Sequence, residues 1–357
     1  MDMRGRTGSG RRVPRRRVLM AALVVCCLGV AGGVIWSAVD QGSRHTVAGA
    51  GSAAAAAGSG PGSPAPIETF ATQPAHPAPP GSCPSPAACG FPSAADTGPG
   101  TTRLTPHSGN LEIRRNGEVI DGWDLTGSLD VYANDVTIVD SRIDSANWWA
   151  VNLRPGHTGL RILHSQLTGT PGAGPDNGGE DYAVSNMGAG DIEVGWDDVS
   201  VFADALSMGN GYIHDDYVHD LVPFVNRAGF YAHMDAVISD GDDTLGLLIQ
   251  HNTLINSAPL GKGPTSAVGL LPNTGPVSDT TVEDNWLAGG SYALYAGGPR
   301  ANHVVVTGNV FSTEVAKFSG YYGVVADWNS AGIGNVWSDN RYASGALIGT
   351  DVILSRG

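Results

Sequence analysis

Charge is scarce in this chain, and positive charge scarcer still. Only 15% of the residues are Asp, Glu, Lys or Arg, and from residue 91 onward 31 Asp plus Glu stand against 12 Lys plus Arg, a net of −19. A surface of that sign repels nucleic acid and bare polyanions, so no nucleic-acid partner is expected. Long apolar stripes at helical spacing are absent after residue 39, which removes the all-α classes. Neither a Gly-x-Ser-x-Gly elbow nor a phosphate-binding glycine loop occurs. A leucine-rich signature is missing, and propeller blades need units of about 40 residues.

What is present is repetition. Any residue, then Ala or Gly, then an aliphatic recurs seven times: Trp149-Ala150-Val151, Tyr182-Ala183-Val184, Asp204-Ala205-Leu206, Asp235-Ala236-Val237, Ser266-Ala267-Val268, Tyr292-Ala293-Leu294 and Tyr322-Gly323-Val324. The middle residues are 33, 22, 31, 31, 26 and 30 positions apart. A period of this size marks units that bury a face only by stacking on their neighbours. A second row keeps step with the first, a small polar residue two places before a hydrophobic one: Ser141, Ser165, Asp197, Asp215, Asn252, Asn285, Asn309 and Asn340. Four Asn in register predict a ladder of side-chain amides bonded from coil to coil. Short alternating segments such as Val136–Val139, Leu160–Leu163 and Val304–Val306 precede the row. Short strands, turn residues between them and loops of unequal length describe a stacked parallel β-helix.

The chain from about Gly90 to Gly357 resembles the right-handed parallel β-helix proteins of the pectate-lyase and polygalacturonase superfamily. It is similar in particular to secreted actinobacterial members that open with Cys-Gly-Phe-Pro, here Cys89-Gly90-Phe91-Pro92. The resemblance implies an all-β, single-stranded, right-handed parallel β-helix of the pectin-lyase-like kind. It also implies a polysaccharide or cell-wall glycan as partner. The fold hosts lyases, hydrolases and adhesins, so it does not choose an activity.

Ahead of that domain, seven Arg within residues 1–17 precede an uncharged run at 18–39. About 20 apolar residues span a bilayer as a helix, and the flanking Arg put the N-terminus inside. Two readings compete: a single-pass membrane anchor with the C-terminal domain outside, or a cleaved signal that leaves a secreted protein. Residues 40–82, rich in Pro, Ala, Gly and Ser, read as a disordered tether. Cys83 and Cys89 bracket a short loop that can close into a disulfide in an oxidising compartment, free thiols being the alternative. Residues 83–126 are expected to cap the first coil, and 127–357 to form the β-helix.

Chemistry is sought in the column before the Ala. Stacked coils lie about 4.8 Å apart, which makes Asp204 and Asp235 neighbours. Two buried carboxylates that close cannot both ionise easily, so the column is expected at a wet corner, with one pKa raised. The pair can act as acid and base on a glycoside, or hold Ca²⁺ through its oxygens. His233 lies two places before Asp235 and shares its face in a regular strand, as a third acid–base group. His233-Met234-Asp235-Ala236 resembles the Asn-Thr-Asp-Gly signature of polygalacturonases, which implies a catalytic carboxylate at Asp235 and uronic-acid polymers as substrates. The next coil departs from that family, with Thr265-Ser266-Ala267 in place of Gly-His-Gly. Tyr182 and Tyr292 suit stacking on sugar rings; Arg227 and Lys262 are the cations that could bind a uronate or serve a lyase as base. The Ala row is read either as an outward flat floor for an extended chain or as close-packed filler. His214-Asp215-Asp216-Tyr217-Val218-His219-Asp220 is read as a solvated acidic loop, with a cation site as the alternative. The bland reading of the Asp pair is a structural hydrogen-bonded stack, and a non-catalytic glycan-binding module is the alternative to an enzyme.

Overall fold

Strand after strand lies parallel to its predecessor one coil earlier. The structure, a computed structural model, describes residues 83–100, 103–187, 190–241, 246–343 and 349–354. It is an all-β solenoid of two parallel sheets, one of 17 strands and one of nine. The nine-stranded sheet takes one strand per coil, from Val119–Asp121 through Leu160–Leu163 and Leu247–Gln250 to Val336–Ser338. The larger sheet takes two, exemplified by Tyr217–His219 followed by Met234–Ser239. Aliphatic side chains from every coil fill one continuous core, which includes Leu125, Ile162, Val194, Ile213, Ile249 and Leu294.

The polar row forms the spine between the sheets. The backbone N–H of Ser141, Ser165, Asp197, Asp216, Asn252, Asn285 and Asn309 each donates to a side-chain oxygen of the next rung, ending on Asn340, at 2.5 to 3.1 Å. The amides of Asn252, Asn285, Asn309 and Asn340 also donate to a carbonyl of the coil before, at Ile213, Ile249, Val282 and Val306. The residue ahead of each rung turns left-handed: φ lies between 47° and 58° at Asp140, His164, Trp196, Asp215, His251, Asp284 and Asp339. Asp and His are among the side chains that tolerate this conformation best.

Four expectations are corrected here. The rung on the fourth coil is Asp216, because Val218 rather than Tyr217 points into the core; Asp215 is the left-handed residue before it. With His214 and Asp216 also buried, that segment is no solvated loop. The Ala row is no floor: Ala150, Ala183, Ala205, Ala236, Ala267 and Ala293 are all fully buried in the core. The Ala and the following aliphatic are both buried. In the last unit the register slides by one. Tyr292 aligns with Gly323 and Leu294 with Val325, which leaves Tyr322 outside its column.

Cys83 and Cys89 form a disulfide, yet it does not sit at the first coil. The N–H of Cys83 donates to the carbonyl of Ala343 on the last coil at 3.4 Å, and that of Gly98 to Trp196 at 2.8 Å. Gly100 reaches Asp140 Oδ1 at 2.9 Å. Residues 83–100 therefore run as a strap along the solenoid, against the direction of coil growth. The single-pass membrane placement is corrected as well. Among the described residues no helix is long and apolar enough to cross a membrane, and the run at 18–39 and the tether at 40–82 lie outside those residues.

Asp197 and Asp216 occupy Asn-type rungs, and in each the Oδ2 is buried without a hydrogen-bond partner. Burial pushes both carboxyls well above the usual range. An Asn there supplies the donor that an ionised Asp lacks. Asp197→Asn and Asp216→Asn are each expected to raise unfolding free energy near neutral pH by about 1–3 kcal/mol. The gain shrinks as acid protonates the wild-type carboxyl; denaturant titrations at two pH values check this, and a loss of stability at neutral pH contradicts it.

Candidate functional site

One column carries the chemistry, and stacking alone assembles it. Asp204 aligns with Asp235, and Asp235 with Ser266. Tyr182 precedes them and Tyr292 follows, so the order across the coils is aromatic, acid, acid, hydroxyl, aromatic. Five residues at one coil spacing extend over about 19 Å. The backbone N–H of Asp235 donates to Asp204 Oδ1 at 3.1 Å. The Ser266 hydroxyl donates to Asp235 Oδ1. Asp235 is fully buried and its Oδ2 has no hydrogen-bond partner, whereas Asp204 is half-buried. The column is thus wet at Asp204 and dry at Asp235, and the expected open corner holds for the first acid only.

Glycine makes the room. A Cβ at Gly269 would stand 2.9 Å from Asp235 Oδ1 and 3.0 Å from Ser266 Oγ, so the Asp235 carboxyl leans along the sheet over Gly269. Tyr295 follows Gly269 in register, and its ring meets Tyr292 edge-on at 5.5 Å. Tyr322 lies 6.0 Å from Tyr292.

Electrostatics at the column favour protons. Burial raises the pKa of both Asp204 and Asp235; Asp204 is raised further by Asp235, Asp181 and Asp240. Asp181 is pushed up to about 7 by burial and by Asp176, and Glu180 to about 8 by burial against the opposing Thr170 N–H. Tyr295 rises to about 12 through burial, with Tyr292 and Asp235 adding to it. Tyr182 rises for the same first reason, with Asp204 and Asp181 next. Like charges this close disfavour double ionisation, so the Asp204–Asp235 pair holds protons above the usual carboxylate range.

The other expected residues scatter. His233 is exposed and lies ahead of the strand Met234–Ser239. A register shift between Met234 and Asp235 breaks the alternation, so His233 and Asp235 do not share a face. Arg227 is committed elsewhere: its guanidinium donates to the Pro175 carbonyl and lies 5.5 Å from the Trp148 ring, while its N–H reaches Asp176 at 2.8 Å. It clasps the loop at 170–181 to the loop at 221–233. Lys262 is exposed on a turn closed by its N–H on Pro259 at 3.0 Å. Neither cation meets the acid pair in a hydrogen bond or ion pair. Among the described residues no three or more His, Cys, Asp or Glu side chains are arranged to hold a metal ion. Calcium takes six to eight oxygens, and two carboxylates, one of them sealed, do not fit that demand, so no step is routed through a metal.

Sequence reasoning missed Asp181, Asp240, Gly269 and Tyr295. Gly269 and Tyr295 lie two places after Ala267 and Ala293 and carried no signal beyond that place. Asp181, next to Tyr182, and Asp240 had no periodic mark.

Ser266→Ala isolates the pair's electrostatics. A carboxyl whose folded pKa is raised stabilises the fold below its unfolded pKa, and that stability is lost as pH rises through the folded pKa. The Ser266 bond holds the Asp235 pKa down, so deleting it deepens the loss at high pH. The variant is expected to match wild type more closely in acid and to fall below it by about 1–3 kcal/mol in alkali. Equal deficits at both ends of a pH series of denaturant titrations contradict this. No protein-family model matches the chain, and no curated protein is similar to it.

Proposed function

We propose that this protein is a right-handed parallel β-helix of the pectate-lyase and polygalacturonase kind that engages a polysaccharide along the Asp204–Asp235 column outside the cytoplasm. Right-handed crossovers are the rule for parallel strands, and the Cys83–Cys89 disulfide accords with an oxidising compartment. The observation that carries the reading is a proton-holding carboxyl pair between two tyrosines, in a row long enough for several sugar rings.

Hydrolysis is the chemistry this arrangement supports best. The half-buried Asp204 gives its proton to the glycosidic oxygen as the C–O bond breaks, a neighbouring carboxylate takes a proton from the attacking water, and that proton passes back to Asp204 to close the cycle. The nearby carboxylates Asp181 and Asp240 supply the base for water. A lyase needs a cationic or metal-assisted base, and Arg227 is occupied. The cluster of Asp181, Asp204, Asp235 and Asp240 repels a uronate chain, so a neutral polymer fits better than the uronic-acid polymer implied by resemblance. The second reading, a binding module without turnover, draws on the complete burial of Asp235 and on the exposed Phe230, Tyr231 and Phe318.

A panel of neutral and acidic glycans, incubated with the protein and followed by mass spectrometry of products, tests both. Cleavage of a neutral glycan is expected, slowing as pH rises through the pair's raised pKa. Asp204→Asn should lower turnover by about 10²-fold or more while binding persists. Binding without product selects the module, and no binding to any glycan removes the proposal.

A further inference from the structure

Ahead of the acid column, three buried polar atoms on neighbouring side chains have no hydrogen-bond partner: Trp149 Nε1, Asn152 Oδ1 and Arg154 Nε. Native proteins rarely leave such atoms unpaired, and each one asks for an explanation. The three belong to one cluster. The Asn152 amide and the Arg154 guanidinium touch the same two groups, Asp130 Oδ1 at 3.5 and 3.4 Å and Met187 Sδ at 3.1 and 3.5 Å. The guanidinium also lies 5.8 Å from the Trp149 ring and 5.2 Å from that of Tyr132. Asn152 is fully buried, whereas Met187 beside it is 52% exposed.

Stacking sets this cluster in line with the acids. Trp149 aligns with Tyr182, which heads the acid column. Asp130 aligns with Asn152, Asn152 with Ser185, and Ser185 with Ser207. Two rows therefore run side by side from the cluster to the strand Asp204–Ser207. At two coil spacings, Asp204 is about 10 Å from Trp149.

The unpaired set is mixed, two N–H donors and one carbonyl acceptor. A carboxylate only accepts, so it has nothing to give the Asn152 oxygen. A sugar hydroxyl both accepts and donates, and a pair of neighbouring hydroxyls meets all three atoms. Charge points the same way. Arg154 is paired with Asp130 at 3.4 Å, and Arg114, which lies over the other reach of Tyr132 at 4.6 Å, is paired with Glu112 at 2.6 Å. The cluster thus holds no spare positive charge for an anion. The Met187 thioether is a weak acceptor on a flexible side chain, so its contacts are readily exchanged for those of a hydroxyl.

We propose that Trp149, Asn152 and Arg154 form a binding site for one neutral sugar ring of the polymer, admitted when the Met187 side chain swings aside. The inference rests on the Asp204–Asp235 column being a polysaccharide site, and adds a grip on the same chain two coils ahead of the acids. The indole and guanidinium N–H groups donate to ring hydroxyls, and one hydroxyl donates to the Asn152 oxygen.

Proton–nitrogen NMR of the full chain, read at the Trp149 indole N–H and at the Gly269 and Tyr295 amides, tests the site. Trp149→Phe identifies the indole signal. The probes are neutral tetrasaccharides of glucose, galactose, mannose and xylose, with tetragalacturonate and inorganic phosphate as anionic arms. At least one neutral tetrasaccharide is expected to shift the Trp149 signal saturably, and Asn152→Ala to weaken its binding about fivefold or more. Shifts at Gly269 and Tyr295 with the Trp149 signal unmoved overturn this site and leave the acid column standing. A Trp149 shift with both column amides unmoved supports this site and counts against the column. A Trp149 shift confined to tetragalacturonate or phosphate overturns the proposal, and so does an Asn152→Ala variant that binds as tightly as wild type. Silence at all three signals with every probe removes both sites. The wild-type titration decides the matter even where Asn152→Ala does not fold.

Discussion

Every feature of this molecule depends on one repeated hydrogen bond, from a backbone N–H on one coil to a side-chain oxygen on the next. Strand pairing fixes the distance between coils but tolerates sliding along the strand. The buried rungs from Ser141 to Asn340 remove that freedom, because a slip of one residue would strand each side chain in the core without a partner. The left-handed residue before each rung sets the corner, and both sheets take their direction from it. Columns of side chains elsewhere on the coil stay aligned as a consequence.

The same dry spacing that gives the ladder its strength gives the acid column its protons. Asp204 and Asp235 are held together by coil stacking, whatever their mutual repulsion. A low-dielectric setting raises the cost of a second charge, and Ser266 eases it through its hydroxyl and its backbone N–H. At the polar row the outcome is reversed. Asp215 sits between two histidines and is pulled down to about 2 despite its burial, because His214 and His251 offset desolvation. Two acids in one solenoid therefore hold opposite charge states, and the difference is made by neighbours one coil away.

Much of this was written in the period of the sequence, and the rest was not, for physical reasons. The Ala row and the Asn row were legible because each coil must repeat its inward side chains. Strand parity failed at Asp235 because a register shift intervenes, which placed His233 on the wrong face. The rung at Asp216 was misread as Asp215 because two adjacent Asp precede two adjacent hydrophobics, Tyr217 and Val218, and only burial tells them apart. The strap could not be foreseen: the bond from His251 to Gly90 joins residues 161 apart, and no period links them. Gly269, which makes room for Asp235, was one small residue in the row two places after the Ala until the carboxyl was seen above it.

A double-mutant cycle on Asp204→Asn and Asp235→Asn, read as unfolding free energy near neutral pH, measures most directly whether stacking brings these two acids together. Contact between them predicts a coupling of about 1 kcal/mol or more, since replacing either relieves the strain that both share. Effects that add to within about 0.5 kcal/mol would mean that the side chains do not meet, and the column would lose its chemistry.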